Sequence, residues 1–210
     1  MNSKKHIIFD MDGTLVNSGV MIAKTINFVR QNIGLEPLDP TIMLEKINDP
    51  HINSAQYFYG TQEFTQEQTD LFGKYYHENC IVGVELYDGI YELLEELSKK
   101  FQLSIATNAS SVFANKILKH LNIYKFFDYV VGHDMVEESK PDPQMIFKIM
   151  DKFNLTNNEC LLIGDSYKDL YAAQNAQIDC ILVNWGFSDH KNNPDAIHTV
   201  EQLKQKLNEY

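Results

Sequence analysis

The chain contains little cysteine and no long apolar run. Its 210 residues include three cysteines, Cys80, Cys160 and Cys180, with no CxxC spacing and no His/Cys cluster of the zinc-binding type. These features argue against a disulfide-stapled fold and against a structural zinc site. No run approaches the roughly 18 apolar residues of a membrane-spanning helix, and no signal peptide fits the first residues. We therefore expect a cytoplasmic protein with reduced, buried thiols.

Positive charge is also scarce. Lysine and arginine together number 18 against 29 acidic residues, the formal net charge is −11, and Arg30 is the only arginine. An acidic surface repels polyanions, so we expect neither nucleic acid nor a membrane as a partner. A small anionic substrate is still compatible with this charge, because one lysine and one divalent cation reverse the field within a confined site.

Short apolar runs alternate with helical patterns over most of the chain. This alternation predicts an α/β fold, with a Rossmann-like parallel sheet flanked by helices. The predicted helices each show an apolar face; in the first of them, Val112, Phe113 and Ile117 are expected to share it. The predicted strands are His6–Phe9, Leu103–Ala106, Tyr129–Val131, Leu161–Ile163 and Cys180–Val183.

One stretch interrupts the alternation. Between about Ser18 and about Glu85 the periodicity is helical, and no strand is evident. We interpret this stretch as an inserted α-helical cap domain, residues 18–85. The α/β core domain then comprises residues 1–17 and 86–210.

Polar residues follow several of the predicted strands, at the edge of the sheet where ligands bind in open α/β folds. Asp10 and Asp12 follow the first strand, with Gly13 allowing a sharp turn. Thr107 follows the second strand, and the backbone amides that begin with Asn108 can hold phosphate oxygens. The alternative for each is local: aspartates that bond turn amides, and a threonine that only caps a helix.

Two further elements complete the pattern. Lys140 precedes Pro141, and Asp165 and Asp169 follow the strand Leu161–Ile163. Lys140 could instead be a solvated surface residue, and the aspartates could serve only the helix dipole. If the four aspartates meet, their repulsion calls for a cation, and an all-oxygen site suits Mg²⁺.

Taken together and in this order, the four elements resemble the motifs of the haloacid dehalogenase (HAD) superfamily of phosphohydrolases. The matching residues are Asp10 to Thr14, Thr107, Lys140 in KPDP, and Asp165 to Asp169. Tyr87-Asp88-Gly89 also resembles the re-entry turn of the branch with a cap between the first two motifs. That branch contains phosphoglycolate phosphatases, sugar-phosphate phosphatases and β-phosphoglucomutase-like enzymes.

The resemblance implies roles for these residues. Asp10 would be the nucleophile and Asp12 the general acid and base. Thr107, Asn108 and Lys140 would bind the phosphate. Mg²⁺ would be held by Asp10, by the carbonyl of Asp12 and by Asp165, with Asp169 acting on the metal directly or through water. The expected activity is Mg²⁺-dependent hydrolysis of a small phosphorylated metabolite, of the phosphoglycolate or sugar-phosphate type.

The cap is expected to select the substrate. Lys46, Asn48 and His51 lie roughly where this family places specificity residues, although ordinary polar loop residues would look the same. The loop lacks a glycine common in the phosphoglycolate type. Six cap aromatics are expected to pack within the cap or against the core: Tyr57, Phe58, Tyr59, Phe72, Tyr75 and Tyr76.

Two other functions remain open at this stage. A sugar phosphomutase of the same family would share every core motif, and a non-catalytic protein that binds a phosphorylated ligand could use the same scaffold. The sequence does not distinguish a monomer from a homodimer.

Overall fold

A five-stranded parallel sheet forms the centre of the protein, whose computed structural model describes residues 4–49, 51–187 and 193–210. Five strands form this sheet in the order β5-β4-β1-β6-β7, while β2 and β3 pair separately as a short antiparallel ribbon. The strands are β1 (His6–Phe9), β2 (Val16–Asn17), β3 (Glu85–Leu86), β4 (Gln102–Thr107), β5 (Tyr129–Gly132), β6 (Cys160–Gly164) and β7 (Asp179–Leu182). The five predicted strands are therefore confirmed, with ends that differ by at most one residue.

Helices cover both faces of the sheet. Because successive side chains of a strand point to opposite faces, Ile7 and Phe9 of β1 pack into one apolar core and Ile8 packs into the other. The helices are α1 (Gly19–Asn32), α2 (Pro40–Ile47), α3 (Ser54–Tyr59), α4 (Gln66–Asn79), α5 (Ile90–Leu97), α6 (Ser111–His120), α7 (Gln144–Phe153), α8 (Tyr167–Asn175) and α9 (Val200–Leu207). The predicted α/β fold class is confirmed.

Helices α1 to α4, called here the helical insert, lie between β2 and β3. The longest, α1 and α4, pack against each other. Thr65 begins α4 with a capping box, in which its hydroxyl accepts from the amide of Gln68 while the Gln68 side chain accepts from the amide of Thr65. The β2–β3 ribbon at the base of the insert was not predicted, because two-residue strands are too short to show alternation.

Some local predictions were wrong. Val112 is 58% exposed, whereas Ile117 is buried as predicted, together with Ala114 and Leu118. All three cysteines are free, as expected, but Cys180 is only partly buried. Within the described ranges, every helix falls short of the length and apolar character needed to cross a bilayer.

Candidate active site

The site is centred on Asp10, which follows the central strand β1. Its amide donates to the carbonyl of Ile163 at 2.8 Å, continuing the pairing of β1 with β6. This position places the carboxylate of Asp10 at the carboxyl edge of the sheet, where it is 7% exposed. Thr14, one turn further, donates its hydroxyl to Oδ2 of Asp10 at 3.3 Å.

Lys140 lies between two aspartates. Its ammonium donates to Oδ1 of Asp10 and to Oδ1 of Asp169, both at 2.6 Å, and only 2% of its side chain is exposed. Burial on its own would lower the pKa of Lys140, but the attraction of the two carboxylates outweighs burial and raises that pKa. Lys140 is therefore a buried, charged residue, and the alternative that it is a solvated surface residue is wrong.

Asn108 positions the loop that carries Lys140. Its side-chain amide donates to the Lys140 carbonyl at 2.9 Å and accepts from the Lys140 amide at 3.1 Å. This two-point contact resembles a backbone pair and fixes the loop beside the end of β4. The Asn108 side chain is thus committed to Lys140, which leaves the backbone amide of Asn108 for the predicted contact with a phosphate.

Asp169 is fixed from the other side. Its Oδ2 accepts from the hydroxyl of Ser166 at 2.8 Å and from the amide of Ser166 at 3.2 Å. Ser166 and Asp169 thereby cap α8 at its first turn, and Oδ1 of Asp169 remains directed at Lys140. Asp169 thus supports the first turn of α8 and also contacts Lys140, so the alternative that it serves only the helix is wrong.

Three buried carboxylates come close enough to share a cation. Ligand oxygens of Asp10, Asp165 and Asp169 all lie within 4.8 Å of one another. Gly13 permits the approach of Asp165: its φ is +90°, and a Cβ at this position would lie 2.1 Å from Oδ2 of Asp165. Oxygen donors suit a hard divalent cation. The predicted convergence of Asp10, Lys140 and Asp165 is therefore observed, and it includes Asp169.

Asp12 lines the same cavity, and Ser18 donates its hydroxyl to Oδ1 of Asp12. Burial raises the pKa of Asp12, while hydrogen bonds from Ser18 and Thr107 and the charge of Lys140 oppose the shift. The raised pKa of Asp12 is thus caused by burial and not by a neighbouring carboxylate. Ser18 had not been predicted, because a serine before a helix is usually only a cap.

Burial also raises the pKa of Asp10, to about 7, with Lys140 acting in the opposite direction and Asp169 adding to the rise. A divalent cation beside Asp10 would favour its ionised form. Burial thus raises the pKa values of both aspartates of the DxDG turn, although the charge of Lys140 opposes each shift.

A second segment of chain holds the DxDG turn from outside. The indole Nε1 of Trp185 donates to the carbonyl of Thr14 at 3.0 Å. The backbone of Gly186 lies so close to this turn that a Cβ there would approach the carbonyl oxygen of Gly13 to 2.0 Å. The sequence analysis did not single out either contact, because the pattern of β7 does not indicate where its following loop packs.

Only one of the three predicted specificity residues reaches the site. Asn48 donates its side-chain amide to Oδ2 of Asp165 at 3.2 Å, joining the helical insert to the acidic cluster. Lys46 pairs with Asp49 at 3.0 Å, and His51 is exposed. Pro50, between them, lies outside the described residues. Lys168 makes a second link to the insert, by donating to the carbonyl of Ile47 at 3.0 Å.

A cavity of about 480 Å³ opens above these residues, between the sheet edge and the helical insert. Asp10, Asp12, Thr107 and Lys140 line its floor. Four of the six aromatics that were expected only to pack also line it: Phe58, Tyr59, Phe72 and Tyr76. Helical periodicity identifies an apolar face but does not reveal whether that face meets a side chain or a ligand.

Comparison with known proteins gives the family. Residues 7–183 match the model of haloacid dehalogenase-like hydrolases. A phosphoglycolate phosphatase from Aquifex aeolicus is 31% identical over 182 residues, covering 86% of this chain and 85% of that protein. The pyrophosphatase PpaX from Listeria monocytogenes is 31% identical over 193 residues, covering 85% and 82%.

Solved structures agree with these sequence matches. A predicted phosphatase from Clostridium acetobutylicum superimposes with a TM-score of 0.87 at 25% identity, with 99% of each chain covered. A predicted phosphoglycolate phosphatase from Haemophilus somnus gives a TM-score of 0.83 at 27% identity, covering 98% of this chain and 99% of that one. This chain therefore belongs to the haloacid dehalogenase-like hydrolases and is an enzyme of their phosphoglycolate phosphatase-like branch.

Proposed function

We propose that the protein is a Mg²⁺-dependent phosphatase that hydrolyses a small phosphate monoester through an aspartyl-phosphate on Asp10. One observation carries the proposal: three buried aspartates and a buried lysine, with the carboxylate of Asp10 at their centre, line the floor of a single cavity. A cluster of this kind is costly without a ligand, because buried carboxylates repel each other.

In the first step, a carboxylate oxygen of Asp10 attacks phosphorus and forms a new O–P bond. The bond between phosphorus and the leaving oxygen breaks, and Asp12 gives its proton to that oxygen. The raised pKa of Asp12 supports this role, because a general acid must hold its proton until the bond breaks. In the second step, water attacks phosphorus, Asp12 accepts a proton from the water, and the Asp10–phosphorus bond breaks.

The donor set fits a hard divalent cation. Asp10, Asp165 and Asp169 offer only oxygen atoms, their oxygens lie within 4.8 Å of one another, and Lys140 pairs with two of them, Asp10 and Asp169. We propose Mg²⁺, held by Asp10, Asp165 and the carbonyl of Asp12, with Asp169 as a direct or water-mediated ligand. When bound, Mg²⁺ supplies charge neutralisation at the phosphoryl group.

The remaining phosphate contacts come from the end of β4 and from Lys140. Thr107, 1% exposed, lies at the strand end, where its hydroxyl accepts from the amide of Ala109 at 3.0 Å. We propose that this hydroxyl and the backbone amide of Asn108 hold phosphoryl oxygens, while Lys140 balances their charge. Such positioning accounts for most of the rate in phosphoryl transfer.

We also propose that the chain is divided into a core domain, residues 1–17 and 86–210, and a cap domain, residues 18–85. The cap would exclude water and select the substrate. The contact of Asn48 with Asp165 supports a role for the cap at the metal site; for Lys46 and His51 the structure offers no such support. Phosphoglycolate, sugar phosphates and pyrophosphate are the first substrates to assay, because relatives carry phosphoglycolate phosphatase and pyrophosphatase names.

The proposal is tested by phosphate release from para-nitrophenyl phosphate with Mg²⁺, with EDTA and with Zn²⁺. Asp10→Asn should abolish turnover, whereas Asp70→Asn, an exposed carboxylate on α4, should keep it. Phosphate release by pure Asp10→Asn at the wild-type rate would exclude Asp10 as the nucleophile. Full activity in EDTA would exclude a metal-dependent mechanism.

A further inference from the structure

The walls of the cavity differ in character from its floor. Aliphatic and aromatic side chains dominate the walls, and the helical insert supplies most of them. They include Ile22, Ile26, Phe58, Phe72, Phe113 and Phe187. The volume of about 480 Å³ is in the range of pockets that enclose ring-containing ligands. A two-carbon acid would leave most of this apolar surface in contact with water.

The insert offers no charge to a substrate. Every described cavity-lining residue between positions 18 and 85 is uncharged. Lys46 faces Asp49 instead, and Arg30 donates to the carbonyls of Glu36 and Phe58. A carboxylate on the leaving group of a substrate would therefore be desolvated without a cation from this side, which is costly.

Neutral polar groups are present in the same wall. The side-chain oxygen of Gln68 accepts from the amide of Thr65 at 2.9 Å, which fixes the orientation of the side-chain amide. No described residue accepts from its Nε2, and Gln68 is only 4% exposed. The Tyr76 hydroxyl, on a residue 3% exposed, likewise has no described hydrogen-bond partner. Both residues line the cavity, so they suit acceptor atoms of an uncharged ligand.

The wall of the cavity leaves open space beside Gly73, which a ligand can occupy. Gly73 lies inside α4 and lines the cavity between Thr69 and Tyr76, on the same helical face. A Cβ built at Gly73 would meet nothing within 4 Å. Glycine within a helix is unfavourable relative to alanine, and no neighbouring side chain requires it here.

We propose that the cavity selects phosphate monoesters whose leaving group is uncharged, mostly apolar and at least the size of one ring, in preference to small anionic esters such as a phosphorylated hydroxy acid. The floor binds the phosphate, and the wall formed by α1, α3 and α4 covers the leaving group. This inference rests on the proposed function, because it assigns a substrate class to the same site.

The test uses two non-hydrolysable ligands, benzylphosphonate and phosphonoacetate, with Mg²⁺ and calorimetric measurement of Kd. Burial of one aromatic ring should make benzylphosphonate bind about tenfold tighter or better. Gly73→Leu fills the space beside α4 and should weaken benzylphosphonate about tenfold while changing phosphonoacetate much less. Lys74→Leu adds the same side chain at an exposed position of the same helix and should change neither Kd; thermal denaturation verifies that both variants fold.

Equal or tighter binding of phosphonoacetate by wild type would overturn the inference. So would a Gly73→Leu variant that binds both ligands as wild type does, or one that loses both equally. Hydrolysis is measured separately with benzyl phosphate and phosphoglycolate. Selective binding of benzylphosphonate with hydrolysis of no ester would contradict the proposed function while supporting the selectivity of the cavity.

Discussion

Replacement of Lys140 by methionine should destabilise the metal-free protein by several kcal/mol. The Lys140 ammonium donates at 2.6 Å to both Asp10 and Asp169, and the three side chains are 2%, 10% and 1% exposed. Removal of one partner of a buried ion pair costs about 3–5 kcal/mol, because the other charge is left buried and unpaired. Asp10 can take up a proton once Lys140 is gone, because burial raises its pKa to about 7 even with the lysine present, so the unpaired charge falls mainly on Asp169 and we expect a loss within that range.

A double-mutant cycle separates this electrostatic effect from a change in packing. Once Lys140 is methionine, Asp169→Asn removes an unpaired buried carboxylate instead of one half of an ion pair. The double variant should therefore be more stable than the sum of the single losses predicts, by about 2 kcal/mol. Urea unfolding at pH 7 in EDTA measures the four free energies of unfolding.

An exposed pair provides the matched control. Lys100 and Glu96 lie 3.2 Å apart, with side chains 51% and 34% exposed, and a surface pair of this kind contributes at most about 1 kcal/mol. The cycle Lys100→Met with Glu96→Gln should give a coupling near zero. If the Lys140 cycle were additive to within about 0.5 kcal/mol as well, the buried lysine would not be neutralising the aspartates.

Three further outcomes are expected. Gly13→Ala should abolish turnover, because its Cβ would lie 2.1 Å from Oδ2 of Asp165; activity near wild type would contradict this. Mg²⁺ should raise the Tm of wild type but not of Asp165→Asn, which loses a proposed ligand. If calorimetry gave equal Tm shifts for the two proteins, Asp165 would be excluded as a ligand of the metal. His6 is fully buried, and burial lowers its pKa from 6.5 to about 4, so the neutral ring is favoured in the folded state. The contribution of neutral His6 to the free energy of unfolding is complete above pH 6.5 and is lost as the pH falls towards 4, with a loss of about 2 kcal/mol between pH 6.5 and 5. Urea unfolding at several pH values should show that the variant His6→Gln lacks this loss.

Much of the site could be predicted because parallel strands bring distant residues to one edge. Asp10, Thr107 and Asp165 each follow a short apolar run, and the carboxyl ends of β1, β4 and β6 are adjacent in the sheet. Strand patterns and strand order therefore place these residues together before any side chain is known. Lys140 lies in a loop, whose position the strand pattern does not predict. Only the resemblance of the surrounding residues to a family motif indicated that Lys140 enters the site.

The contacts that were missed join segments without a repeating pattern. Ser18 contacts Asp12, Trp185 contacts the Thr14 carbonyl, and Asn48 contacts Asp165. Residues of these types are common in caps and loops, and their partners lie in other segments of the chain. Propensity and periodicity describe each segment alone, so they do not indicate which loop packs on which.

The floor and the wall of the cavity differ in charge, and the proposed binding of a phosphate by this acidic protein depends on that difference. Four aspartates and two lysines are among the described residues that line the cavity, and all six belong to the sheet side. Because the insert covers them with apolar side chains, charges on the floor interact in a medium of low dielectric constant, where attraction and repulsion are both stronger than in water. A phosphate added to this excess of carboxylates would be repelled unless a cation accompanied it. The proposed metal dependence and the proposed preference for an uncharged leaving group thus follow from one arrangement: among the described residues that line the cavity, the charged aspartates and lysines lie on the floor, and the residues of the insert are uncharged.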